Sequence, residues 1–316
     1  MGSPIKNVVV VGGSGDLGRA IVSGLVDAGF AVTVLTREGS TATFPAGVAT
    51  KAVDYSSLES LKAALAGQDA VVSTITTVAV GAQQLLVDAA LAAGVRRFIP
   101  SEFGLNTRFL GNDPIGTILQ AKIQAVNYLH EKSKQNLSFT WTAISTGLFF
   151  DWTLERGIVG LDKATKTATI YDSGNEPYQA SNLPHIGKAV AAVLRHPEVT
   201  TNRYLSIASF NPTQNQVLGL VEKLTGQKWT VHHLTTDEQQ RIGAEKFAKG
   251  DHSAFFNLLK KRVYADGAGL AVRGPDNAID LLGLEEDDLE GTLQAWLASG
   301  REQDELKGTV RDWLAK

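Results

Sequence analysis

The chain has 316 residues, of which 43% are apolar and 20% charged, with a formal net charge of −3 and no cysteine. That length suits one large domain or two small ones, and the composition is that of an ordinary globular enzyme. Disulfides, thiolate catalysis and Cys-ligated zinc are excluded, no basic excess points to nucleic-acid phosphates, and no window is apolar for as long as a membrane span requires.

The N-terminus runs from Met1 to Lys6 straight into the first predicted strand, which leaves no room for a cleaved signal peptide. Lys6 stands where a myristoylation signal after Gly2 needs Ser or Thr. The six histidines show no metal-ligand spacing, and the adjacent His232 and His233 would point to opposite sides of a strand. The expectation is a cytoplasmic protein with no metal and no membrane or nucleic-acid partner.

Strands are predicted at 7–12, 31–36, 48–53, 69–75, 95–100 and 139–146, and helices at 16–28, 57–66, 80–93 and 114–135. This alternation argues for α/β architecture, a Rossmann-like doubly wound parallel sheet with helices on both faces. Ligands in such sheets sit beyond the carboxyl ends of the strands, so the loops after residues 12, 36, 54, 75, 100 and 146 should meet at one crevice. Farther along, Thr167–Tyr171 reads as a strand before the turn Asp172-Ser173-Gly174-Asn175, residues 186–194 as a helix, and 203–207 as a strand returning to the sheet. From Asn211 helices dominate: 212–225, 237–249, 253–264, then acidic and amphipathic pieces to Lys316. The implied division is a nucleotide-binding core at 1–155, rejoined by 186–210, and a smaller, mainly helical substrate lobe at 156–185 and 211–316.

The strongest local signal is Gly12-Gly13-Ser14-Gly15-Asp16-Leu17-Gly18 between a β-branched run and an amphipathic helix. Strand, glycine turn and helix in that order are the context of a dinucleotide site: glycines let the backbone approach a pyrophosphate, and the helix N-terminus supplies free N–H groups. After the second strand comes Thr36-Arg37-Glu38-Gly39-Ser40. Arg37 at the strand end suits a 2′-phosphate, with Thr36 and Ser40 as hydroxyl donors, and favours NADPH; Glu38 pointing inward would favour NAD. Asp54 and Tyr55 reach the adenine edge in one reading, and in the other Asp54 caps the helix that begins near Ser57.

The helix predicted at 114–135 carries Lys122 among Ile115, Ile118, Leu119, Ile123, Val126 and Leu129. A lysine on an apolar face either snorkels outward or points into a polar crevice, where desolvation lowers its pKa and makes it a usable acid or base. Tyr128 and Lys132 match a Tyr-x-x-x-Lys spacing but fall on the flank of this face, late in the helix, and are read as a decoy. Thr74, Ile75, Thr76 and Thr77 should border the nicotinamide ribose. Ser101, Glu102 and Phe103 follow the fifth strand, and Thr146, Gly147, Leu148, Phe149, Phe150 and Trp152 the sixth. These aromatics, with Tyr178, suit a flat aromatic or apolar metabolite, or else pack the lobe onto the core. Glu102 is expected to form a local ion pair and His185 to be structural.

The segments Gly12–Gly18, Thr36-Arg37-Glu38, Arg97-Phe98-Ile99-Pro100-Ser101-Glu102-Phe103-Gly104, Ala121-Lys122-Ile123 and Asp172–Asn175 resemble the isoflavone reductase-like and phenylcoumaran benzylic ether reductase family. That family lies within the NmrA-like group of atypical short-chain dehydrogenases. The resemblance covers the chain to about residue 210. It implies an NADPH-dependent reductase with Lys122 at the active site, Arg37 at the 2′-phosphate, and no dyad tyrosine, since Ile118 stands four residues before Lys122. Gln124-Ala125 replace the arginines common in plant members, Thr43-Phe44-Pro45 stands where they often carry a lysine, and Gly147–Trp152 looks closer to fungal oxidoreductases of specialised metabolism. The expected reaction is hydride transfer to an electrophilic C=C, C=N or quinone-methide-like carbon. A non-catalytic NAD(P) sensor and a condensation or cyclisation coupled to reduction are the alternatives.

Overall fold

The computed structural model describes residues 4–272 and 277–300. The predicted pieces beyond residue 300 lie outside the described residues. The strands are β1 (Asn7–Val11), β2 (Ala31–Arg37), β3 (Ala49–Val53), β4 (Ala70–Ser73), β5 (Arg97–Ile99), β6 (Thr140–Ser145), β7 (Leu148–Phe149), β8 (Leu161–Asp162), β9 (Thr167–Tyr171), β10 (Ala180–Ser181), β11 (Arg203–Ser206) and β12 (Thr230–Leu234). The helices are α1 (Asp16–Asp27), α2 (Leu58–Leu65), α3 (Gln83–Ala92), α4 (Pro114–Ile118), α5 (Gln120–Gln135), α6 (Phe150–Glu155), α7 (Leu183–Arg195), α8 (Pro197–Thr200), α9 (Gln214–Thr225), α10 (Thr236–Ala248), α11 (Ala254–Tyr264), α12 (Ile279–Leu282) and α13 (Leu289–Ala298).

Seven strands form one sheet in the order β11-β6-β5-β4-β1-β2-β3, and every pairing in it is parallel. The doubly wound α/β expectation is borne out. The order reverses between β1 and β4, and this switch point opens a crevice at the carboxyl ends of the strands.

The valines of β1 show why the sheet forms. Val8 and Val10 pack on one face with Ile21, Leu25 and α7, while Val9 and Val11 pack on the other with Leu61, Leu86 and Phe98. A run without polar alternation is what a strand covered on both faces requires. A second core, centred on Phe150, Tyr178, Val217, Leu258 and Trp296, holds β8, β9 and the later helices together. Arg97 is 2% exposed, and its hydrogen bonds go to neutral oxygens. It donates to Thr140, Thr142, Thr200 and Thr201 hydroxyls at 2.8–3.0 Å and to the Pro197 carbonyl at 3.1 Å, which joins β5, β6 and α8. Burial pushes its guanidinium down to about 10.

Two local expectations need correction, and one element was not predicted. The helix predicted at 114–135 breaks at Leu119, where ψ is 5° and the Lys122 amide bonds back to the Leu119 carbonyl over three residues. Residues 77–82 form a 3₁₀ turn before α3. Residues 230–234, between the helices predicted at 212–225 and 237–249, are a strand parallel to β9. Its residues are all exposed, so it carries no apolar alternation to read. His232 and His233 sit on it as neighbours.

Candidate active site

The turn after β1 begins at Gly12, whose φ of +82° is a conformation that L side chains rarely adopt. Its amide neighbourhood is tight: a Cβ there would lie 2.8 Å from the Thr74 carbonyl oxygen. A Cβ on Gly18 would collide with the Gly12 carbonyl, so α1 starts closer to β1 than any side chain permits. The Gly15 amide closes the turn on the Gly12 carbonyl at 3.1 Å. The first amides of α1 therefore lack helical partners where they border the crevice, a cradle suited to an anion.

Lys122 enters this crevice from the first turn of α5. It shares a buried stripe with Ala125, Leu129 and Ser133 and is 8% exposed. Its Nζ donates to the Glu102 carbonyl at 2.8 Å. The side chain does not snorkel to solvent. Burial lowers the amine below the ordinary lysine value, against the opposing pull of the Glu102 carboxylate. Glu102, 1% exposed, accepts from the Tyr204 hydroxyl at 2.5 Å and the Thr107 hydroxyl at 2.7 Å. Burial raises its carboxyl above the usual range, with Lys122, Tyr204 and Thr107 opposing. The Tyr204 phenol is raised well above its ordinary value by burial and by the Glu102 charge. Two hydroxyls, one of them 102 residues away, hold the Glu102 carboxylate in place of the local ion pair expected, so one residue holds the lysine through its backbone and the tyrosine through its side chain.

The crevice has a cavity of about 290 Å³ bounded by α1, the ends of β4 and β5, Lys122 and the segment after β6. Gly15, Asp16, Leu17, Gly18, Thr74 and Thr76 line it from the glycine turn and β4. Ser101, Phe103, Gly147, Phe149 and Trp152 line it from the other side. The Ser101 hydroxyl is spent on the Ile75 carbonyl at 2.7 Å, and that of Thr74 on the Val11 carbonyl at 2.9 Å.

Gly12 and Ser14 lie in the turn itself, behind this wall. Three residues expected at the site turn away from it. Thr146 is fully buried, its amide bonded to Gly104. Phe150, also fully buried, packs edge-on to Phe210 at 4.9 Å. Tyr178 packs edge-on to Tyr264 at 5.1 Å and borders a different cavity. Phe150 opens α6, whereas Thr146 and Tyr178 lie in irregular segments after β6 and before β10, whose side-chain directions no periodicity sets.

At the far end, Arg37 and Ser40 are exposed and Thr36 is half-buried, all at the carboxyl end of β2. Glu38 is exposed beside them. Asp54 neither caps α2 nor loses its partners: it accepts from the Ser56 amide and hydroxyl at 2.9 and 2.6 Å, and Ser57 is the N-cap. The Tyr55 hydroxyl donates to the Leu35 carbonyl at 2.9 Å. Tyr128 and Lys132 meet Asp88 of α3 at 2.6 and 3.3 Å, away from the crevice. His185 is buried against Asp287 at 3.4 Å.

Sequence reasoning missed two contributions. Phe255 and Phe256 of α11 line the crevice from far along the chain, well beyond Ile158, the preceding residue of its wall. Asp16 takes the Trp152 indole N–H at 2.7 Å and Arg156 at 2.9 Å, and the guanidinium stacks on the indole at 4.1 Å. This bridge ties the start of α1 to α6. An adjacent aromatic pair in an amphipathic helix was a visible signal; a contact spanning 136 residues was not.

The NmrA-like family model matches residues 4–259. The oxidoreductase aprR of Aspergillus flavus is 42% identical over 248 residues, which cover 77% of this chain and 82% of that protein. The oxidoreductase poxI of Penicillium oxalicum is 35% identical over 281 residues, covering 88% of this chain and 89% of the relative. Among solved structures, AtPrR2 with NADP+ and (+)pinoresinol aligns at a TM-score of 0.77 and 22% identity, over 94% of this chain and all of that one. The leucoanthocyanidin reductase–NADPH complex from Vitis vinifera aligns at 0.77 and 19% identity, over 93% of this chain and all of that one.

Proposed function

The chain belongs to the NmrA-like family, and on that premise we propose that it is an NADPH-dependent oxidoreductase acting on a small aromatic or apolar metabolite. The observation that carries the reading is Lys122: a buried amine held at 2.8 Å by a backbone carbonyl, lining the same cavity as the glycine-turn helix. The names of the fungal oxidoreductase relatives support it.

The residues fit a dinucleotide. The close approach of Gly12 and Gly18 leaves room for a pyrophosphate against the α1 amides. Arg37, with Thr36 and Ser40, stands at the strand end where a 2′-phosphate is read, and an arginine fork there favours NADPH over NADH. When bound, the cofactor supplies a hydride. The chain's own residues do the rest. Phe103, Phe149, Trp152, Phe255 and Phe256 orient a flat substrate and exclude water. The Lys122 ammonium donates its proton, or its charge, to the substrate oxygen or nitrogen as an electrophilic C=C, C=N or quinone-methide-like carbon is reduced. The Glu102 carbonyl fixes the amine in place, and burial eases release of the proton.

The test is NADPH oxidation at 340 nm across a panel of conjugated aromatic enones, imines and quinone-methide precursors, with NADH in parallel. The reading expects turnover with NADPH favoured. Tight dinucleotide binding with no turnover of any acceptor would instead mark a sensor.

A further inference from the structure

We propose that a second cavity, on the other side of the segment Gly147–Leu148 from the crevice, is a binding site for an anion carried on an apolar body. The cavity measures about 520 Å³, within the range of small-molecule sites. Leu105, Gly147 and Leu148 are common to both cavities, so a single wall separates them.

Its chemistry is unusual in one respect. Arg108, Arg203 and Arg262 come from three separate elements to line it, and among the described residues no Asp or Glu does so. None of the three guanidiniums forms an ion pair with a described carboxylate. Each is instead held by a neutral acceptor. Arg108 Nε donates to the Asn106 amide oxygen at 3.2 Å, and its guanidinium lies over the Tyr204 ring at 4.4 Å. Arg203 donates to the Val199 carbonyl at 2.8 Å, and Arg262 to the Phe109 carbonyl at 3.4 Å. A guanidinium has five N–H donors in a planar fork, so every one of these arginines retains donors for an anion. Three like charges around one cavity repel one another, and a bound anion relieves that repulsion.

The apolar part of the ligand is matched by Leu110, Val263, Leu270 and Val272 in the lining. Two large apolar side chains in the lining, Phe109 and Leu281, are 68% and 38% exposed. Asn106, Gln179, Tyr204 and Ser206 add neutral polar groups to the lining, and an exposed phenylalanine beside a basic cavity with these apolar walls suits an amphiphilic occupant better than a simple inorganic ion. This site is independent of the reductase reading, since none of its arginines borders the crevice.

Octanoate is the probe, with acetate and octan-1-ol as controls for the tail and the charge, and binding is read by isothermal titration calorimetry on the full chain. Octanoate is expected to bind at least about tenfold tighter than either control. Arg108→Gln combined with Arg262→Gln should weaken octanoate by about tenfold or more while leaving octan-1-ol unchanged. If the double variant does not fold, Ala271→Trp, which fills the cavity without touching a charge, should weaken octanoate and octan-1-ol alike. Lys122→Met should leave octanoate affinity intact. Equal affinity for octanoate and octan-1-ol, or undiminished octanoate binding in a folded arginine or Ala271→Trp variant, overturns the proposal. So does loss of binding in Lys122→Met, which would place the probe in the crevice.

Discussion

Replacing Lys122 by Met separates a chemical role from a structural one. The substitution removes one charge-assisted hydrogen bond, from Nζ to the Glu102 carbonyl at 2.8 Å, worth about 1.5–3 kcal/mol. It also removes a nearly buried ammonium, whose burial costs several kcal/mol, and methionine refills most of the same volume. The two effects oppose, so the unfolding free energy should change by no more than about 2 kcal/mol in either direction. The rate should not share that cancellation. Loss of a positioned acid costs about 10²- to 10⁴-fold, or at least about 2.7 kcal/mol of barrier. Urea unfolding with steady-state and single-turnover kinetics on one acceptor measures both quantities. A variant that keeps wild-type turnover refutes the acid role. One that loses more than about 4 kcal/mol of stability refutes the claim that this amine is a burden on the fold.

The same lysine sets an expected pH profile. Its folded pKa is depressed, so the ammonium is lost as pH rises through a value below that of a free lysine, and kcat should fall on that alkaline limb; Lys122→Met should show no such limb. Because the folded amine binds its proton more weakly than the unfolded one, stability should rise with pH across the same window, as thermal unfolding at stepped pH will show. Arg37→Ala should raise KM for NADPH by about tenfold and leave NADH almost unchanged, an outcome read from paired cofactor titrations. Trp152→Phe keeps the ring but drops the bond to Asp16, so stability should shift by less than about 1 kcal/mol, whereas Trp152→Ala should raise KM for an aromatic acceptor severalfold. Arg97→Met leaves four threonine hydroxyls and a carbonyl without their donor and should cost about 3 kcal/mol or more in denaturant melts, with kcat per folded molecule unchanged.

The parallel sheet was legible because its strands are short β-branched runs punctuated by glycine turns, and a strand such as Val8–Val11 has few other fates. Lys122 stood out because it breaks an apolar pattern, and the structure places it on the crevice. What the pattern lacked was direction within irregular segments. Phe149, Phe150 and Trp152 look alike in sequence, yet a two-residue strand followed by a helix turns only Phe149 and Trp152 toward the cavity. The break at Leu119 carries neither Gly nor Pro, so nothing local announced it. The contributions of Phe255, Phe256 and Tyr204 depend on how distant elements pack, which periodicity does not encode.

The two-ended attachment of Glu102 has a practical corollary for anyone wishing to retarget this protein. Main chain and carboxylate at that position anchor different partners, so a library that varies residues 102, 107 or 204 would disturb the perch of the Lys122 amine together with the pocket's shape. Positions 149, 152, 255 and 256 reach the cavity without touching that anchor. Diversity confined to those four would reshape the cavity and leave the Lys122 amine where it is held.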